Sequence, residues 1–293
     1  MSDRRHFLTT LLGASAASAF AQDAKLSYKG ENIQFGLVTY QWGKDWDIAT
    51  IIQNCAEAGV TGVELRVEHK HAVTPELTAQ QRADVRRQFE ESPVKLLGMG
   101  TNFEFHAADA AVVKKNIEGA KTFIKLSHDI GGTGVKVKPN GLTKGVEEEK
   151  TLAQIGAALA ELGDYALGFG QEIRLEVHGK DTSELPRVKV MMEAASRDNV
   201  CVCWNSNDTD LNGAGLEANF AMVKAYLGHT AHIRGVGQVK YPHDKLAKLL
   251  VDADWEGHVC LEAHQMPKGD PVAALKQERE LFMALVNAAR KAA

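Results

Sequence analysis

Cysteine is scarce, at 4 in 293 residues, and no two stand as a Cys-x-x-Cys pair, so neither a structural zinc site nor a redox dithiol is written into the chain. Cys201 and Cys203 lie two apart on one apolar run and point the same way, which prevents them from bridging to each other; all four are expected to be small buried hydrophobes. Charge of one sign is missing as well. Charged residues make up 25% of the chain and the net charge is only -4, with no basic stripe to bind nucleic acid and no acidic tail. No glycine-rich loop opens a helix after an early strand: Gly131-Gly132-Thr133-Gly134 precedes a strand instead, which argues against an open dinucleotide-binding sheet.

The N-terminus reads as an address. Arg4-Arg5 is followed by Phe7, Leu8 and a weakly apolar run of small residues ending in Ala19-Phe20-Ala21, a small-x-small cleavage pattern. This resembles a twin-arginine export signal, and a plain secretory signal is the alternative. Residues 1–21 are read as the signal and 22–32 as a linker. The run is too short for a membrane span. The mature chain is therefore expected to be exported or periplasmic, folded before export and off the membrane. Its oligomeric state is left open, a homo-oligomer included.

From residue 33 to residue 293 an alternation repeats eight times. Strands are expected at Ile33 to Thr39, Val60 to Arg66, Lys95 to Asn102, Gly134 to Pro139, Glu172 to His178, Val200 to Asn205, Ala231 to Gly235 and His258 to His264. Between them run helix-length segments with apolar spacings of three and four, as in Ile48, Ile51, Ile52 and Cys55, closed by Gly59. The last helix opens with Asp270-Pro271 and shows an apolar face through Leu275, Leu281, Phe282 and Leu285. Eight such units in one α/β domain predict a (β/α)8 TIM barrel, whose chemistry belongs at the C-terminal ends of the strands.

Those ends are polar. Burying an unpaired carboxylate costs several kcal/mol, yet Glu176 and Glu262 stand within apolar strands, each two residues before a histidine, His178 and His264. Alternation puts each pair on one face. Strand two brings Glu64 and Arg66, the loop after strand three His106, strand four Lys136 and Lys138, strand five also Arg174, strand six Trp204, Asn205 and Asp208, and strand seven His232 and Arg234. Glu64, His106, Lys136, Lys138, His178, Trp204, Arg234 and His264 are the expected substrate contacts. For the two lysines the other readings are a solvated position at the edge of a bottom loop, or pairing of one of them with a glutamate.

Ala58-Gly59-Val60-Thr61-Gly62-Val63-Glu64-Leu65, Leu175-Glu176-Val177-His178-Gly179, Ala231-His232-Ile233 and Leu261-Glu262-Ala263 resemble, in order and spacing, the signatures of the xylose isomerase-like barrel superfamily of sugar phosphate isomerases and epimerases. The resemblance implies a divalent metal held by Glu176, Asn205, His232 and Glu262. Strand six departs from the pattern: Asn205 stands where the family has Asp, and Asp208 where it has His, so Asp208 is the alternative ligand. A mostly oxygen set suits Mn, Mg or Co ahead of Zn.

The resemblance implies an isomerase or epimerase that removes a proton next to a sugar carbonyl through an enediolate, with Glu176 and Glu262 as the proton-transfer groups. The runner-up is a metal-dependent lyase that cleaves 3-keto-glycosides by β-elimination. A non-catalytic carbohydrate-binding barrel is the reading from another class. The expected partner is a small carbohydrate, and nucleic acid is not expected.

Overall fold

In the computed structural model residues 28–292 are described; the export segment and the first part of the linker lie outside them. Strands and helices alternate as β1 (Ile33–Val38), α1 (Ile48–Ala58), β2 (Gly62–Arg66), α2 (Ala79–Glu90), β3 (Lys95–Glu104), α3 (Ala110–Asp129), β4 (Gly134–Lys138), α4 (Glu148–Leu167), β5 (Glu172–Glu176), α5 (Leu185–Ala195), β6 (Val200–Asn205), α6 (Leu216–Val223), β7 (Leu227–Ile233), α7 (His243–Asp252), β8 (Gly257–Leu261) and α8 (Pro271–Ala292). The strands pair in parallel in chain order, and β8 closes on β1 with Leu37 opposite Leu261. This is the eightfold barrel expected from the sequence.

Local chemistry sets the helix ends. The Asp47 carboxylate accepts the Thr50 N–H at 2.9 Å to start α1, and Gly59, at φ 70, ends it, a left-handed conformation that glycine adopts without a Cβ clash. Thr78 and Gln81 cap each other's backbone at the start of α2. Asp270 accepts from the N–H groups of Val272 and Ala273 ahead of α8. The buried stripe of α8 runs Leu275, Phe282, Val286 and Ala289, whereas Leu281, expected on it, is 41% exposed. A 3.6-residue period carries position 281 around to the solvent side.

Strand alternation divides the barrel wall. Phe35, Leu37, Val63, Leu65, Val135, Val137, Ile173 and Leu175 face outward into one core shared with the helices. Burying one such side chain contributes about 1.5–3 kcal/mol, and Leu175→Ala would cost roughly 2–5 kcal/mol. The inward face is mostly polar, with a small apolar cluster of Val38, Leu97 and Cys260. All four cysteines are buried and free.

Glycines make room for two large inward side chains near the N-terminal ends of the strands. A Cβ at Gly62 would lie 2.5 Å from the His258 ring, and one at Gly134 would lie 2.8 Å from the Arg174 guanidinium. Arg174 donates to Leu97 O at 2.7 Å and Thr133 Oγ1 at 2.8 Å and pairs with Glu172 at 2.9 Å. Arg174 was expected among the mouth residues. It faces inward as expected, but its partners hold it at the opposite end, where it and His258 fill the barrel interior.

β7 also begins earlier than expected, at Leu227 rather than Ala231. Gly228 and the exposed His229 interrupt the apolar run that marks a strand. Gly228 is required there, because a Cβ would lie 2.7 Å from Cys201 Cβ. Among the described residues no helix is long and apolar enough to cross a membrane.

Candidate active site

β5, β7 and the residue after β8 bring Glu176, His232 and Glu262 together at the C-terminal end of the barrel. One ligand atom from each lies within 4.8 Å of the other two, and all three residues are buried. His232 sits at the centre. Its Nε2 faces Glu64 Oε2 at 3.4 Å, while its Nδ1 lies 3.7 Å from Glu176 Oε1 and 3.6 Å from Glu262 Oε2. When the ring is neutral with its proton on Nε2 toward Glu64, as a bound cation would require, the Nδ1 lone pair points between the two carboxylates. That carboxylate–histidine order is the one that orients a metal-ligating imidazole.

Each glutamate divides its oxygens. Glu176 turns Oε1 toward His232 and pairs Oε2 with the fully buried Lys136 ammonium at 2.7 Å. Glu262 turns Oε2 toward His232 and pairs Oε1 with Arg66 at 3.3 Å. Asn205, at the end of β6, donates its amide to Glu176 Oε1 at 3.0 Å. Burial alone would raise the Glu176 carboxyl, but Lys136, His232 and Lys138 outweigh it and hold the group well below the ordinary carboxylate range. Burial opposes charge on His232, and the neighbouring Cys203 and Glu64 overcome it, so its pKa is raised well above the ordinary value.

Above this cluster is a cavity of about 130 Å³. Lys138, His178, Arg234 and His264 line it together with Glu176, Asn205 and Glu262. His178 Nδ1 lies 2.8 Å from Asn140 Oδ1, and Asn140 in turn donates to Glu104. With its proton on Nδ1, the imidazole keeps Nε2 as an acceptor. Arg234 donates to Ser206 O at 2.9 Å and pairs with Asp208 at 3.0 Å.

Four expected substrate contacts lie elsewhere. Glu64 is beneath His232, with no exposed surface, so it supports the imidazole and does not face the cavity. Lys136 is likewise below the lining and engaged with Glu176, the pairing that was one of its other readings. Trp204 is fully buried on the outer face of β6, its indole N–H 3.3 Å from the Tyr241 hydroxyl and its ring 5.5 Å from Phe220. Standing one residue before the inward-facing Asn205, it must point the other way. His106 lies in the loop beyond β3, near Gly141 and outside the cavity lining. Asp208, the alternative ligand, has a side chain 85% exposed and held by Arg234; it does not reach the cluster.

Tyr40, Arg66 and Asn207 also line the cavity. The sequence signal for Arg66 was its position two residues after Glu64, on the same inward face. Its guanidinium lies 5.2 Å over the Tyr40 ring and donates to Asn102 Oδ1 at 3.1 Å. Asn102 also borders a groove of about 580 Å³ lined by Val73, Phe103 and Phe123.

A buried imidazole nitrogen with no hydrogen-bond partner, facing one oxygen from each of two carboxylates, is a donor set that a divalent ion would complete. Asn205 beside it can turn its amide oxygen inward as a neutral fourth ligand. The cluster fits such an ion.

Known proteins agree with this architecture. No curated protein matches the chain. Among solved structures, an L-ribulose 3-epimerase superposes with a TM-score of 0.76 at 16% identity, over 88% of this chain and 96% of its own. The 3-keto-D-glucoside 4-epimerase YcjR from E. coli gives 0.71 at 13% identity, over 86% of this chain and 99% of its own. The IOLI protein, solved with a zinc atom, gives 0.73 at 15% identity, over 87% and 98%. At these identities the likeness establishes the fold. The model of one family, the xylose isomerase-like TIM barrel, matches residues 52–285. With the closed barrel and the clustered strand ends, that match places the chain in the xylose isomerase-like TIM barrel family.

Proposed function

We propose that the protein is a divalent-metal-dependent isomerase or epimerase of a sugar. The observation that carries this reading is the unpartnered Nδ1 of His232, buried between Glu176 Oε1 at 3.7 Å and Glu262 Oε2 at 3.6 Å. Glu176, Asn205, His232 and Glu262 would hold the ion, with Mn, Mg or Co favoured over Zn by the oxygen-rich set. Bound there, the ion would polarise a sugar carbonyl and acidify the adjacent C–H.

The chain's own residues do the rest. A glutamate takes the proton from the carbon next to the carbonyl, the C–H electron pair forms a C=C bond, and the carbonyl π pair moves onto oxygen to give an enediolate. Return of a proton to the other face of that carbon gives an epimer, and return to the neighbouring carbon gives an isomer. Lys136 and Arg66 keep the two carboxylates in place. Tyr40 and His264, 5.7 Å apart edge to face, line the cavity.

A second reading is suggested by the similarity to a 3-keto-D-glucoside 4-epimerase. It is elimination from a 3-keto-glycoside: the proton on carbon two is removed and the substituent on carbon one departs. Export through the twin-arginine route is part of the proposal and rests on Arg4-Arg5 and the run that follows. Cell fractionation checks it.

Incubation with manganese and a panel of free, keto- and glycosidic sugars in deuterium oxide tests the activity. Deuterium should enter at a carbon beside the carbonyl, and loss of a glycosidic substituent would select the elimination. A metal-loaded protein that exchanges no proton in any sugar would end both readings.

A further inference from the structure

We infer that the pocket takes a sugar bearing a carboxylate and that Lys138 receives that group, an inference that rests on the carbohydrate reading above. Four acidic groups at or beneath the mouth each have a close basic partner, and Glu104, opposite Lys138 in the β3–β4 register, is taken by the Asn140 amide. Glu64 faces His232 at 3.4 Å, Glu176 pairs with Lys136 at 2.7 Å, Glu262 with Arg66 at 3.3 Å and Asp208 with Arg234 at 3.0 Å. Lys138 is left over. Its distance to a carboxylate is 3.9 Å, and that oxygen is Glu176 Oε2, which Lys136 already holds more closely.

The Lys138 side chain is only 12% exposed and lines the cavity. An ammonium so far withdrawn from water is costly without a close counter-charge. A neutral sugar offers it hydroxyl dipoles, whereas a carboxylate offers a charge-assisted hydrogen bond. A divalent ion on the neighbouring cluster would add positive charge and deepen the preference. The cavity, at about 130 Å³, and its single spare cation suit a singly charged carboxylate better than a phosphate dianion.

Titration calorimetry of the manganese-loaded full protein with D-glucuronate, D-glucose and D-glucose 6-phosphate tests this, using wild type, Lys138→Met and Lys138→Arg. Glucuronate should bind at least about tenfold tighter than glucose, the scale of one charge-assisted bond. Lys138→Met should abolish that preference, lowering glucuronate affinity at least about tenfold more than glucose affinity, and Lys138→Arg should keep it. Equal binding of acid and neutral sugar overturns the inference, as does an equal loss for all three ligands in Lys138→Met. Tighter, Lys138-dependent binding of the phosphate overturns the carboxylate assignment. Binding of none of the three overturns the carbohydrate reading as well.

Discussion

Lys136 Nζ lies 2.7 Å from Glu176 Oε2 with neither side chain measurably open to solvent, which leaves Glu176 Oε1 alone to face His232. The lysine thus fixes which oxygen the glutamate presents to the centre of the site. Removing one member of a buried pair exposes the other to the full cost of an uncompensated charge, about 3–5 kcal/mol. Lys136→Met should destabilise the fold by that amount in chemical denaturation, and Glu176→Gln added to it should restore much of the loss. A Lys136→Met protein of unchanged stability would show that the pair is not formed in solution.

Proton transfer is assigned to the two clustered glutamates. Glu176→Gln and Glu262→Gln preserve shape while removing the charge, so each should keep the circular dichroism spectrum and lower turnover by about 10²–10⁴. Wild-type rates in either variant would remove that glutamate from the chemistry.

Asn205 is the neutral member of the expected ligand set, and ligand charge tunes metal affinity. Asn205→Asp should bind manganese about tenfold tighter by calorimetry. It also replaces the amide that donates to Glu176 at 3.0 Å with a second carboxylate, so the metal-free variant should melt lower than wild type and recover when manganese is added. An unchanged affinity would move the ligand role away from this position.

Acid should weaken the fold through its buried histidines. Burial is the largest influence on His258, with Lys95 and Arg174 adding to it, and lowers its pKa to about 4; burial does the same to His71, also to about 4. Above the ordinary histidine pKa of about 6.5 both states are neutral and stability is full. As pH falls toward 4 the unfolded chain takes up protons that the folded one refuses, and each histidine withdraws up to roughly 3 kcal/mol. Denaturation midpoints should therefore drop between these values. His258→Gln should flatten the slope, and an unaltered slope would exclude His258 as a cause.

Much of this was legible in the chain because periodicity and cost are local. Outward residues such as Leu37 and Leu175 announce strands, Asp47 and Gly59 announce the ends of a helix, and a carboxylate amid apolar neighbours, as at Glu176 and Glu262, demands a partner wherever it lies. Depth along a strand is not local. Arg174 shares the inward face of Glu176 but stands two residues below it, about 7 Å at strand spacing, and belongs to the far end of the barrel. Glu64 is lower than the cavity for the same reason. The partner of Glu176 is not local either: the register sets Lys136 opposite Arg174 and Val137 opposite Leu175, which brings Lys138 level with Glu176, yet Lys136 reaches it diagonally at 2.7 Å, a choice that one strand's sequence does not contain. Trp204 could have been placed by alternation alone, since Asn205 beside it faces inward.

With the far end of the barrel interior filled by the buried Arg174 and His258, Glu176 is reached from the cavity that Tyr40 and His264 help to line at the mouth, and product leaves by the same side. An isomerase exchanges one molecule for one, and a shared path imposes no order on it. Cleavage yields two pieces at the bottom of a dead end, so one must clear the opening before the other can follow, and the piece retained will compete with the next substrate. The pattern of product inhibition therefore carries a signature of the reaction that is set by the closed end of the barrel, remote from the residues that perform the chemistry.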